Sequence, residues 1–131
     1  MLHGGCYCGR IRYEIADTPF HETNCHCSIC RRTTGAPFVT WVTVSRTAFR
    51  FTDGEPTRFK STDKGTRGFC ATCGTQLTFE HRDFTDEIDV TTCSLDDPNA
   101  VPPKDHTRVS SKLRWIELAD GLPEFAESRP D

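Results

Sequence analysis

Seven of the eight cysteines in this 131-residue chain stand in three short groups, Cys6-x-Cys8, Cys25-x-Cys27-x-x-Cys30 and Cys70-x-x-Cys73. Thiolates at these spacings are zinc ligands, and a structural zinc takes four of them in a tetrahedron. Pairing the doublets completes one such site from Cys6, Cys8, Cys70 and Cys73. The triplet of Cys25, Cys27 and Cys30 is left with three ligands and a free fourth position, the arrangement in which zinc binds a substrate or does chemistry. Two Zn2+ per chain are therefore expected, one closed and structural, one open and catalytic.

The flanking residues support the same division. Each doublet ends in glycine, Gly9 and Gly74, which tolerates the positive φ that turns backbone amides towards a metal-bound thiolate. A CxxC pair can also be a redox motif, but there it opens a helix in a βαβ unit, whereas Cys70 and Cys73 lie between strand-like segments. The triplet runs into Arg31-Arg32 instead. Three thiolates on Zn2+ carry a net charge of about -1, so adjacent guanidinium groups can lower ligand basicity and hold an anionic ligand; a pair of solvated surface charges is the plain alternative. Candidates for a fourth ligand are Cys93, His3, His21, His26, His81 and His106. Cys93, closing an alternating segment, is expected to pack in the core. His26, between two ligands in extended chain, should point away from them.

The elements that must position these groups are mostly strands. Alternation or β-branched and aromatic content marks strands over Arg10 to Ile15, Phe38 to Val44, Phe49 to Phe51, Thr57 to Lys60, Thr66 to Phe69, Gln76 to Glu80 and Glu87 to Thr92. Asp53-Gly54-Glu55-Pro56 reads as a hairpin connection. One helical turn is expected from Ser28, as its cap, to Thr34, with Gly35 as its stop. After Asp96-Asp97-Pro98 the pattern becomes irregular, and the tail from Asp120 reads as a short helix or a frayed end. The expectation is a mainly β, single domain over residues 1–131, its small antiparallel sheets bolted together by metal.

Only 35% of residues are hydrophobic, so the apolar core is thin and a structural zinc, contributing roughly 10 kcal/mol or more, would matter to folding. The net charge of -3 argues against binding nucleic acid through phosphate neutralisation. No segment has the length and apolarity of a membrane span or the pattern of a secretory leader, which points to a cytoplasmic protein in which thiols stay reduced and available to metal.

The cysteine motifs also carry a resemblance. Gly4-Gly5-Cys6-Tyr7-Cys8-Gly9 is similar to the GGCxCG opening of the glutathione-dependent formaldehyde-activating enzymes, a family that includes centromere protein V and uncharacterised bacterial members. Cys25-His26-Cys27-Ser28-Ile29-Cys30-Arg31 resembles that family's CHCxxCR signature, and Phe69 to Leu77 its FCxxCGxxL. Weaker echoes lie in Ser94 to Pro98, in Pro103 to His106 and in Ser111-Lys112-x-x-Trp115, while Cys93 stands where the family pattern has Gly. The resemblance implies a β-tent fold, zinc on both clusters, and a carbon-sulfur lyase that condenses a small thiol such as glutathione with formaldehyde or a related aldehyde. Arg31 or Arg32 would then meet a substrate carboxylate, and His106 or Lys112 would supply a proton or an anion contact if the C-terminal segment folds over the open zinc. Trp115 is expected at the core or an edge. The competing function is a non-catalytic, zinc-stabilised binding module; chromatin association is disfavoured by the acidic balance.

Overall fold

The structure, a computed structural model, describes residues 1–130. The described residues form ten strands in two sheets. In the smaller, β2 (Arg12–Ile15) lies between β1 (Leu2–Gly5) and β5 (Phe49–Asp53), all antiparallel. The larger is built from β3 (Phe20–Cys25), β4 (Val39–Ser45), β6 (Thr57–Lys60), β7 (Gly65–Phe69), β8 (Gln76–His81), β9 (Glu87–Thr91) and β10 (Asp105–Thr107). Its order is β10-β3-β4-β9-β8-β7-β6. The one α-helix among the described residues, α1 (Ser28–Thr34), connects β3 to β4.

The pleat gives the large sheet two different faces, because residues directly opposite on antiparallel strands project to the same side. Val42 pairs with Val90 and Val44 with Ile88. These four are almost wholly buried and pack with Tyr13, Ile15, Phe49 and Phe51 of the small sheet in one core. Burying each valine contributes roughly 1.5–3 kcal/mol. On the other face Trp41 lies opposite Thr23, Thr43 opposite Asp89, and Phe79 opposite both Asp89 and Arg67. That face is mixed: Val39, Trp41 and Cys30 form a second, smaller apolar cluster with Phe79 against it, set among polar residues.

Several expectations need correction. The segment Asp53 to Pro56 is not a hairpin: β5 pairs with β2 in the small sheet, while β6 pairs with β7 in the large one. Gly54, at φ +68°, sits where a Cβ would come within 2.5 Å of Arg10 O, and the buried Pro56 packs on Gly68, so the chain crosses between sheets. The large sheet has seven strands, and one pair, β10 with β3, is parallel. β1, β3 and β10 lack the apolar alternation that marks the others, yet each is a strand.

From Asp120 to Pro130 no helix forms; Asp131 lies outside the described residues. The tail lies along β10, with His106 N donating to Pro123 O at 2.9 Å and Phe125 N to His106 O at 2.9 Å. Cys93 sits exposed in a 3-10 turn rather than in the core. Trp115 is likewise exposed, at 69%.

Candidate metal centres and cavity

The closed centre forms where the two sheets meet. Cys6 and Cys8 follow β1, and Cys70 and Cys73 follow β7. Each doublet makes the same knuckle: Gly9 N donates to Cys6 O at 3.1 Å and Gly74 N to Cys70 O at 2.7 Å. Gly9 and Gly74 have φ of +82° and +83°, the left-handed conformation that the glycines were expected to supply. Ile11 N points at Cys6 Sγ, 3.3 Å away, as amides do around thiolates. The four Sγ atoms lie within 4.8 Å of one another, with Cys6 to Cys8 at 3.5 Å and Cys8 to Cys70 at 3.7 Å. A zinc with bonds of about 2.3 Å requires sulfur separations of about 3.8 Å, so the set fits that ion. The Thr75 hydroxyl draws the Cys73 thiol down to about 5.

The triplet collects at the β3 to α1 junction. Cys25 ends β3, Cys27 is the helix cap, and Cys30 lies buried in the first turn. Sequence reasoning gave the cap to Ser28; the group that accepts from Cys30 N is Cys27 Sγ, at 3.2 Å. Gly35 ends the helix as expected, at φ 69° with its N–H on Arg31 O. The three sulfurs also lie within 4.8 Å of one another, Cys25 to Cys30 at 3.7 Å, spacing that again fits one zinc. As thiols they share charge unevenly: hydrogen bonds from Cys25 and Cys30 pull Cys27 down to about 2, and Cys25 is pushed up in consequence. No other histidine, cysteine or carboxylate among the described residues joins the set.

His26 points away from the triplet, as its place between two ligands requires, and is fully buried against Phe38. Its Nε2 lies 3.0 Å from His106 Nδ1, and His106 Nε2 lies 2.7 Å from Asp120 Oδ2. An ionised carboxylate only accepts, so His106 Nε2–H donates to Asp120 and, in the neutral chain, His26 Nε2–H donates to His106. The bond from His106 holds Asp120 below the usual carboxylate range. A latch of three side chains thus ties the triplet loop to β10 and the tail.

On the polar face of the large sheet the triplet opens into a cavity of about 730 Å3, within the size range of small-molecule sites. Trp41, Arg67, Phe79 and Asp89 line it, and Glu127 and Ser128 of the tail close one side. Arg31, half-buried, and Arg32, exposed, stand in the last turn of α1 and are not among the lining residues; neither is His106. Lys112 is held by the Leu113 and Ile116 carbonyls.

A model of the glutathione-dependent formaldehyde-activating enzyme family matches residues 1–111. The chain belongs to this family. A Halomonas elongata protein, provisionally named a glutathione-dependent formaldehyde-activating enzyme, is 24% identical over 127 residues, covering 90% of this chain and 81% of the relative. A crystal structure of a Rhodobacter sphaeroides protein aligns with TM-score 0.61 at 20% identity, covering 94% of this chain and 98% of that one; this likeness concerns the fold alone.

Two cavity residues escaped sequence reasoning. Arg67 is 4% exposed and donates to Cys30 Sγ at 3.7 Å; a cation on the alternating strand that leads into a cysteine doublet was its signal. Asp89 was hidden in the polar phase of β9, where a carboxylate normally faces water.

Proposed function

We propose that the protein is a zinc-dependent carbon-sulfur lyase that joins a small thiol, such as glutathione, to formaldehyde or a related aldehyde, in the manner of S-(hydroxymethyl)glutathione synthase. One observation carries this reading: three clustered thiols stand at the wall of a cavity and no fourth protein ligand among the described residues joins them. Cys25, Cys27 and Cys30 would hold the catalytic Zn2+, and Cys6, Cys8, Cys70 and Cys73 the structural one. Bound in the triplet, zinc would hold an entering thiol as thiolate, well below its free pKa of about 8.5.

The remaining roles fall to the chain itself. Trp41 and Val39 pack against the triplet and keep it dry and rigid. The Arg31 and Arg32 pair, outside the cavity wall, attracts an anionic thiol through its field rather than by contact. His106 acts from behind, orienting the triplet loop through His26. The polar cavity face supplies hydrogen-bonding groups for a substrate with amide and carboxylate groups.

The test is formaldehyde exchange followed by NMR, with glutathione and other small thiols, on protein loaded with two zinc ions. Enhancement in the wild type and its loss in Cys27→Ser are expected. No enhancement with any thiol at full metal loading would reject the enzyme and leave a zinc-stabilised binding module.

A further inference from the structure

Arg67 is an anomaly of charge. It is 4% exposed, and no carboxylate among the described residues forms an ion pair with it. Burying a guanidinium without an opposite charge is costly. The nearest negative character comes from the triplet, since Arg67 Nη2 points at Cys30 Sγ. The side chain is also clamped: its guanidinium carbon lies 5.0 Å from the Phe79 ring centre and 5.9 Å from that of Trp41. Nε donates to Ser61 Oγ at 3.2 Å and Nη1 lies 3.5 Å from Thr33 Oγ1. An arginine has five N–H groups, and these three bonds leave two of them, one on each Nη, without a partner among the described residues. Arg67 nevertheless lines the cavity beside the thiols.

We propose that Arg67 is a catalytic residue, the donor that receives the aldehyde oxygen as it becomes negative. This deepens the lyase reading and rests on it. The thiolate sulfur gives an electron pair to the carbonyl carbon and forms the C–S bond. The C=O π pair moves onto oxygen, and the resulting oxyanion takes up, through solvent, the proton that the thiol released. Thiol plus aldehyde thus equals hydroxyalkyl thioether, with no oxidant or reductant. A guanidinium held by two aromatic rings and three hydrogen bonds needs no reorganisation when that charge appears, which is the condition for large electrostatic stabilisation. The same donors stabilise the oxyanion in the reverse direction, before the thiolate leaves.

The experiment compares wild type, Arg67→Gln and Arg67→Lys, each loaded with Co2+, and the change in the visible spectrum on adding 2-mercaptoethanol reports the triplet, the four-cysteine centre having no open position. Formaldehyde exchange is measured in parallel on the zinc-loaded proteins. Arg67→Gln should keep the cobalt spectrum and bind the thiol within about threefold of wild type, while kcat for exchange falls about 100-fold or more, the usual cost of removing an oxyanion donor. Arg67→Lys, which keeps the charge but loses the fork, should lose about tenfold, between the two, and serves if the glutamine variant does not fold. Exchange within threefold of wild type in either folded variant would overturn the assignment. So would a loss fully explained by weaker thiol binding or by a vanished thiol-induced change in the cobalt spectrum, since Arg67 would then only hold the centre together. A wild type that binds thiol at cobalt but exchanges no aldehyde would overturn the lyase reading and Arg67's role with it.

Discussion

Asp89 faces the cavity as a half-buried carboxyl group, and desolvation pushes it from its ordinary value of 3.8 up to about 6 despite the hydrogen bond from Thr43 Oγ1 at 2.6 Å. The folded state therefore keeps a proton that the unfolded chain has already released. Between about pH 4 and pH 6 folding binds this proton, so the contribution of Asp89 to stability falls as pH rises through that window and stays lower above it. The loss amounts to about 2 to 3 kcal/mol. Asp89→Asn, which can still accept from Thr43, should flatten this part of the melting temperature profile and raise stability at pH 8 by about 2 kcal/mol. Calorimetry across pH 4 to 8 would measure it, and an unchanged slope would place the titration elsewhere. Two cysteine substitutions separate the centres: Cys27→Ser should reduce bound zinc from two to one per chain with the fold intact, whereas Cys70→Ser should leave mostly unfolded protein by circular dichroism.

The elements most important to the triplet are those whose sequence says least. β3 and β10 flank the β3 to α1 junction through their parallel pairing, and the tail pins β10 from its other side. His106→Ala would leave His26 Nε2 buried without its partner, at a cost of about 1 to 3 kcal/mol. Urea unfolding should show that cost, and zinc should leave the triplet faster to a chelator. Unchanged release would mean that the latch serves stability alone. Phe38 to Val44 was legible through its β-branched and aromatic content, and Arg10 to Ile15 because burial of one face selects alternation. β3 was not, since its cavity-facing positions are polar and His21 breaks its register at φ 52°. The cysteine groups could be read as two centres because metal geometry fixes ligand spacing locally. Arg67, 37 residues beyond Cys30, belongs to the triplet only through the fold, and no local pattern records that. The sheet to which β5 and β6 each belong was likewise decided by distant partners rather than by the turn between them.

At the scale of the molecule, one sheet separates two chemically distinct centres, a staple at its junction with the small sheet and an open triplet on its polar face. Chelation should therefore be biphasic. A metal-binding dye should first take up one equivalent of zinc while the far-ultraviolet circular dichroism holds, then a second as the signal collapses; simultaneous loss of both would contradict the division. The two centres differ as much in the chain they enclose as in their chemistry. Cys25 and Cys30 are five residues apart, whereas Cys8 and Cys70 are separated by 62. A loop of that length costs about 4 kcal/mol to close by chain entropy, taking a covalent cross-link as the guide. During synthesis the triplet can take metal as soon as its own six residues emerge, but the staple must wait until the chain has run past Cys73 and the two sheets have met. Metal in the first centre would thus register supply, and metal in the second would register that folding is complete.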